Sequence, residues 1–232
     1  MFSVLGSQAS FMANGFQISD RLLTEALIEA LQNLVDRGLK HTLAVSGTKG
    51  ILRIPLISRL VALPELRIVA STALQAPAFC VRANLFDFSA QNAKPIPWHQ
   101  DHTIPVKRPA QVEGFGPFTW VDGVCFAKAP PTVMSKLAVI YVSLDGMGEN
   151  SPVLKLIPGS HVESIASESD KTRYVSENAS IVPEIGRGGA LVMSPLILHC
   201  QQVVESENPC RHIELMFAAA DLPGGLEWNE RL

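Results

Sequence analysis

Three histidines of this chain stand two residues ahead of an acid: His99-Gln100-Asp101, His161-Val162-Glu163 and His212-Ile213-Glu214. In an extended segment, residues two apart project to the same face, so an imidazole and a carboxylate at that spacing can converge on one metal ion. Spacing does not choose among the three, but context does. Lys94-Pro95-Ile96-Pro97-Trp98 leads into His99, and its prolines forbid helix and favour an exposed, extended approach. His161 closes a Pro-Gly-Ser-His turn, where a hydrogen bond to the turn backbone accounts for it. His212 falls inside a strand-like run, where a packed or solvated role accounts for it. The metal is therefore expected at His99 and Asp101, and a third ligand must come from elsewhere. His199 is the candidate, at the end of the apolar run Gly189–Leu198. Read by itself, His199 is either a satisfied core residue or a ligand at a pocket mouth. Arg211 shifts that balance. A lone arginine at the edge of an apolar run needs an anionic partner, and a dicarboxylate supplies one bidentately.

The elements that must position these residues fall into two stretches. Asp20 to Arg37 reads as an amphipathic helix: Leu22, Leu23, Ala26, Leu27, Ala30, Leu31 and Leu34 recur at helical spacing, Ser19 or Asp20 can cap it, and Gly38 can end it. Ile51 to Ala73 predicts short helices interrupted at Pro55 and Pro64. From about Ala78 the texture becomes β-like, with strands predicted at Phe79–Phe86, Lys136–Leu144, Val153–Ile157, Ala190–Val192 and His212–Ala218. Asp145-Gly146, Pro158-Gly159-Ser160 and the glycines between 186 and 189 supply turns. Helices first and strands after predict an α+β, mainly β domain built on a β-sandwich or jelly roll. A single domain is expected over residues 1–232, helical to about 75 and β from about 78 to 220.

Bulk properties narrow the function. The 232 residues are 47% hydrophobic, enough for one well-buried core. A net charge of −3 without a basic stripe argues against nucleic acid. No apolar run reaches the roughly 20 residues of a membrane span, and Met1–Ser10 lacks the regions of a signal peptide. Four cysteines without a CxxC pair fit free thiols in a reducing compartment, so a cytoplasmic protein is expected. Cys200, next to His199, is either open to oxidation or inert in the core.

The wording around the histidines carries a family resemblance. Val81-Arg82-Ala83-Asn84-Leu85-Phe86-Asp87, Pro97-Trp98-His99-Gln100-Asp101, Ile157-Pro158-Gly159-Ser160-His161, and then His199 and Arg211, together resemble the phytanoyl-CoA dioxygenase family. The tail Leu222-Pro223-Gly224-Gly225-Leu226-Glu227-Trp228 looks like one bacterial and fungal branch of it, and the similarity runs from about Thr48 to Trp228. This resemblance implies a double-stranded β-helix, cupin-like, with N-terminal helices packed on one sheet. It implies Fe(II) held by His99, Asp101 and His199 in a facial triad, with 2-oxoglutarate and O2 as cosubstrates. By the same carry-over Arg211 binds the far carboxylate of 2-oxoglutarate, and Asn84, Tyr141 and Gln201 line its pocket. Tyr141 stands where the branch often has arginine. Segment Cys125 to Pro131 diverges, so the substrate does not follow from the family name.

The expected activity is oxidation, by default hydroxylation, of a small-molecule metabolite such as those of secondary metabolism. Asp101 disfavours halogenation, because related halogenases carry a small residue there. The expected partner is that small molecule, with no nucleic acid and no membrane, and the chain a monomer or homodimer. Two rivals remain: a zinc-type metalloenzyme using the same ligands, and a jelly-roll binding protein without catalysis.

Overall fold

A computed structural model describes residues 10–36, 50–87, 95–148, 153–163, 165, 167–202 and 209–232. Its largest sheet has the strand order β1-β9-β7-β11-β2, built from β1 (Phe16–Ser19), β2 (Phe79–Asp87), β7 (Leu137–Ser143), β9 (Ala190–Met193) and β11 (Arg211–Ala218), all pairs antiparallel. A three-stranded sheet has the order β3-β10-β8, from β3 (Ile96–His99), β8 (Val153–Leu156) and β10 (His199–Gln202). A further antiparallel trio, β4 (Thr103–Val106), β5 (Phe118–Val121) and β6 (Val124–Lys128), pairs in the order β4-β6-β5. The architecture is a double-stranded β-helix, or jelly roll.

The two faces of the large sheet have different neighbours. Helices α1 (Glu25–Leu34), α2 (Pro55–Val61) and α3 (Pro64–Leu74) lie against the outer face. Ile28 and Leu31 of α1, Ile57 and Leu60 of α2, and Leu66 and Ala70 of α3 share one core with Ile140, Ile213, Leu215 and Phe217. The inner face joins a second core through Val139, Leu191, Met193 and Met216, together with Leu156, Ile104 and Ala127 from the smaller sheets. Successive side chains of a strand point to opposite faces, so each strand of the large sheet feeds both cores. At β2 the alternation slips. A bulge pairs Met216 with Arg82 and Phe217 with Cys80, leaving Val81 as the extra residue. Cys80 and Ala83 then face the helices, while Val81 and Arg82 both face inward.

The predicted strands are all present, each within a residue of its predicted ends, and the helices pack on one sheet as expected. The first helix is shorter than its hydrophobic period suggests. Arg21 adopts φ 35°, and the N–H groups of Leu22 and Leu23 both donate to the Gly188 carbonyl, so the chain is tied to the loop before β9 until helix begins at Glu25. Gly38 and Arg37, the predicted end, lie outside the described residues. Pro55 and Pro64 open helices α2 and α3, which suits a residue whose fixed φ is helical and whose missing N–H would be unpaired in the first turn anyway.

Candidate metal centre

Strands β3 and β10 run antiparallel with His199 directly opposite His99, and the two imidazole centroids are 4.2 Å apart. Asp101 follows just past β3. Its N–H donates to the Pro195 carbonyl at 2.8 Å, and the Gln100 side chain donates to the Leu196 carbonyl at 2.6 Å, clamping the His99-to-Asp101 segment to the turn that precedes β10. The clamp brings one ligand atom from each of His99, Asp101 and His199 within 4.8 Å of the others, a spacing that fits a single ion. Among the described residues no other group of three or more His, Cys, Asp or Glu side chains gathers in this way.

Both rings are anchored in the same way, through Nδ1 to a carbonyl two residues earlier. His99 Nδ1 lies 2.8 Å from the Pro97 carbonyl oxygen, and His199 Nδ1 lies 2.8 Å from the Ile197 carbonyl oxygen. A carbonyl only accepts, so each Nδ1 carries the proton and each Nε2 keeps its lone pair for a metal. Burial lowers the pKa of His199, and His99 lowers it further while Asp101 opposes both, which favours the neutral, ligating form. Behind this strand, Ser160 Oγ donates to the Ile157 carbonyl and accepts from the Leu198 N–H. The Pro-Gly-Ser-His turn is thus a brace for β10. His161 itself sits against Gly15, away from the ligand cluster.

These three side chains open onto a cavity of about 320 Å³ between the sheets. Its exposed lining residues are Ile96, Thr103, Thr119 and Val121, while the apolar Phe126, Met147 and Leu154 are buried. Its inner part is polar and buried. There Glu214 of β11 stands opposite Asn84 on one neighbouring strand and Tyr141 on the other. The carboxylate of Glu214 accepts from Asn84 Nδ2 at 2.9 Å, from Arg82 Nη2 at 2.9 Å and from the Tyr141 hydroxyl. Burial, followed by Glu214, pushes the Tyr141 phenol well above its usual range. Burial alone would weaken the charge of Arg82, but Glu214, Asp101 and Tyr141 outweigh it and raise its pKa. Gln201 lines the same cavity, as do His212 and Phe86, whose rings stack at 5.3 Å.

The three residues carried over with least support, Asn84, Tyr141 and Gln201, therefore all line the cavity. Arg211 does not, and the expectation that it reaches a cosubstrate is corrected. Its Nε and Nη2 donate to Asp145 at 2.8 and 2.7 Å, and its Nη1 donates to Asp36 at 3.1 Å. These hydrogen bonds raise its pKa, Asp145 contributing most. The reason is strand alternation. His212, Glu214 and Met216 face inward, so Arg211 shares the outward parity of Ile213, Leu215 and Phe217. The cavity's own cation is Arg82, within the quoted Val81–Asp87 motif but assigned no role from sequence. It could have been found there, because Arg82 is two residues from Asn84 and shares its face. Glu214 was equally readable as an inward residue of the third His-x-acid triplet. His41 lies outside the described residues.

No family model and no curated protein sequence matches the chain. Solved structures do match in fold. The alpha ketoglutarate dependent carbocyclase SnoK from nogalamycin biosynthesis superposes with a TM-score of 0.70 at 12% identity, over 93% of this chain and 84% of that one. AviO1 from Streptomyces viridochromogenes Tue57 gives 0.68 at 17% identity, over 97% and 98% of the two chains. EctD from S. alaskensis, crystallised with 2-oxoglutarate and 5-hydroxyectoine, gives 0.70 at 16% identity, over 94% and 76%. At such identities the likeness concerns the fold.

Proposed function

We propose that this chain is a non-haem Fe(II)- and 2-oxoglutarate-dependent oxygenase of the phytanoyl-CoA dioxygenase type, which hydroxylates a small-molecule metabolite. One observation carries the reading: His99, Asp101 and His199 converge at a cavity, with both imidazoles held Nε2-inward by carbonyl groups. Two histidines and one carboxylate on one face suit iron(II) with open positions opposite. The fold neighbours add weight, since EctD binds 2-oxoglutarate and SnoK is alpha ketoglutarate dependent.

When bound, the metal and cosubstrate would supply dioxygen activation coupled to decarboxylation of the 2-oxo acid. What the chain supplies is position and enclosure. His99, Asp101 and His199 would hold the ion, and the hydrogen bonds to Pro195 and Leu196 keep Asp101 beside the two histidines. Burial of Tyr141, Asn84 and His212 keeps bulk water from the inner cavity. The exposed rim, with Ile96 and Val121 beside Thr103 and Thr119, suits a substrate that carries both apolar and hydrogen-bonding groups. A cytoplasmic setting in secondary metabolism completes the reading; among the described residues no helix is long and apolar enough to cross a membrane.

The test is 2-oxoglutarate-dependent oxygen uptake and succinate release by protein loaded with Fe(II), with and without a metabolite library. Turnover that needs Fe(II) and His199 supports the reading. Zinc-dependent hydrolysis with no use of 2-oxoglutarate would replace it. In the structure the other cavity carboxylate, Glu214, is held by Arg82, Asn84 and Tyr141 and is poorly placed to serve such a hydrolase as base.

A further inference from the structure

We infer that Arg82, on the opposite side of β11 from Arg211, is the anion-binding residue of the cavity, and that Glu214 occupies it as an internal competitor for the ligand's carboxylate. This deepens the oxygenase reading and rests on it.

Among the described residues lining the cavity, Arg82 is the one lysine or arginine. Its guanidinium is incompletely used: Nη2 meets Glu214, while the buried Nε has no hydrogen-bond partner. A guanidinium presents a planar fork of donors, and an orphaned buried donor in that fork is matched by a second carboxylate oxygen. Asn84 Oδ1, from an amide 5% exposed and two residues along the same strand, is likewise buried without a partner, but as an acceptor it calls for a donor such as water and not for the anion. Both unfilled groups belong to the polar inner end of the cavity. Arg211 offers no such opening, since all three of its guanidinium nitrogens donate to Asp145 and Asp36.

Glu214 is what makes this site unlike a plain arginine pocket. One guanidinium would face two carboxylates once a dicarboxylate enters, and like charges at close range in a buried cavity oppose each other. Glu214 therefore holds Arg82 in place when no ligand is bound and weakens the ligand's hold when one is. Removing its charge should tighten binding of the ligand, and removing Arg82 should abolish the preference for a ligand with a distal carboxylate.

The experiment measures calorimetric binding of 2-oxoglutarate and of 2-oxobutyrate, which lacks the distal carboxylate, to protein loaded with Mn(II), where no turnover interferes. Glu214→Gln should bind 2-oxoglutarate about tenfold more tightly, a difference of about 1.4 kcal/mol, with 2-oxobutyrate little changed. The double variant Arg82→Gln/Glu214→Gln leaves no buried charge alone, so it tests the pocket without the folding penalty of Arg82→Gln. It should lose about a hundredfold in 2-oxoglutarate affinity relative to Glu214→Gln and bind the two acids alike. Arg211→Lys should bind both as the unmodified protein does. If the double variant keeps its preference for 2-oxoglutarate, or Arg211→Lys loses it, the assignment to Arg82 falls while the oxygenase reading stands. If Mn(II) binds but the unmodified protein and Glu214→Gln bind neither acid, the 2-oxoglutarate reading falls with it.

Discussion

The two faces of the large sheet invite comparison, because the same strands build both and only alternation separates them. On the outer face β7, β9 and β11 present aliphatic side chains to three helices, and the charge at the end of β11, Arg211, is matched by Asp145 and Asp36. On the inner face β7 and β11 present Tyr141, His212 and Glu214, which β2 meets with Arg82 and Asn84, and the result is a polar cavity with unfilled hydrogen-bonding groups. The outer face spends its polar residues on closure, whereas the inner face leaves some of them open. A residue's role here follows from its parity more than from its type. The two arginines illustrate it: Arg211 is saturated and structural, Arg82 is incompletely paired and lines the cavity.

The largest expected effect is at the metal itself. His99→Ala and His199→Ala should each weaken Fe(II) binding at least about a hundredfold, beyond the usual cost of disturbing a ligand's hydrogen-bond support. His161→Ala and His212→Ala should leave it within a few-fold. Anaerobic titration of the four variants checks this, and equal loss in all four would mean that the ligand set is misassigned.

Next comes the acid stability of the inner face. Burial lowers the pKa of His212 from 6.5 to about 3, so the folded state resists its protonation where the unfolded chain accepts it. The unfolded state then binds more protons between pH 6.5 and about 3, and stability must fall as pH falls through that window. The slope from one such group approaches about 1.4 kcal/mol per pH unit. In metal-free protein His199 and His161, also lowered by burial, add in the same direction. His212→Phe, which keeps an aromatic ring between Phe86 and Tyr141, should flatten the profile measured by urea unfolding at several pH values. An unchanged slope would mean that His212 is not the buried neutral group described.

On the outer face, Arg211→Leu should cost about 3 kcal/mol, because it leaves Asp145, whose side chain is only 8% exposed, without its counter-ion. Urea unfolding gives that loss. Affinities for the metal and for 2-oxo acids should be retained in the same variant. A stable Arg211→Leu with weakened cosubstrate binding would reverse the comparison between the two faces.

How much of this was readable from sequence divides along the same line. Four of the five strands of the large sheet, the helical layer over it and the candidate trio His99, Asp101 and His199 are legible from period, turn residues and the Pro-flanked His-x-Asp. Strands β1, β4 to β6 and β10 did not stand out, being four or five residues long with no hydrophobic alternation strong enough to mark them. Arg211 was misplaced because a predicted strand starting at His212 leaves it as a free edge residue, whereas it is the first residue of β11 and has the outward parity. Its partners Asp145 and Asp36 are 66 and 175 residues away, separations that no local pattern reports. Arg82 is legible from one side only: its parity with Asn84 gives its face, while the bulge at Val81 breaks the alternation on its other side.

The smallest expected effect is an absence, at Cys200. It is adjacent in sequence to the proposed ligand His199, which by distance alone would place a thiol within reach of oxidation during turnover. Alternation argues otherwise. His199 and Gln201 of β10 line the cavity, and Cys200 between them does not. It is 4% exposed, and burial raises its pKa more than Lys155 lowers it. Oxidation and alkylation both select the accessible thiolate, and Cys200 offers neither access nor anion. After turnover with 2-oxoglutarate but no second substrate, peptide mass spectrometry should therefore find Cys200 unmodified in inactivated protein. Cys200→Ala should inactivate at the same rate as the unmodified chain. A sulfinic or sulfonic Cys200, or a slower loss of activity in the variant, would show that the strand turns far enough to expose this side to the metal. The separation of the two faces would then hold for the large sheet and fail for the smaller one.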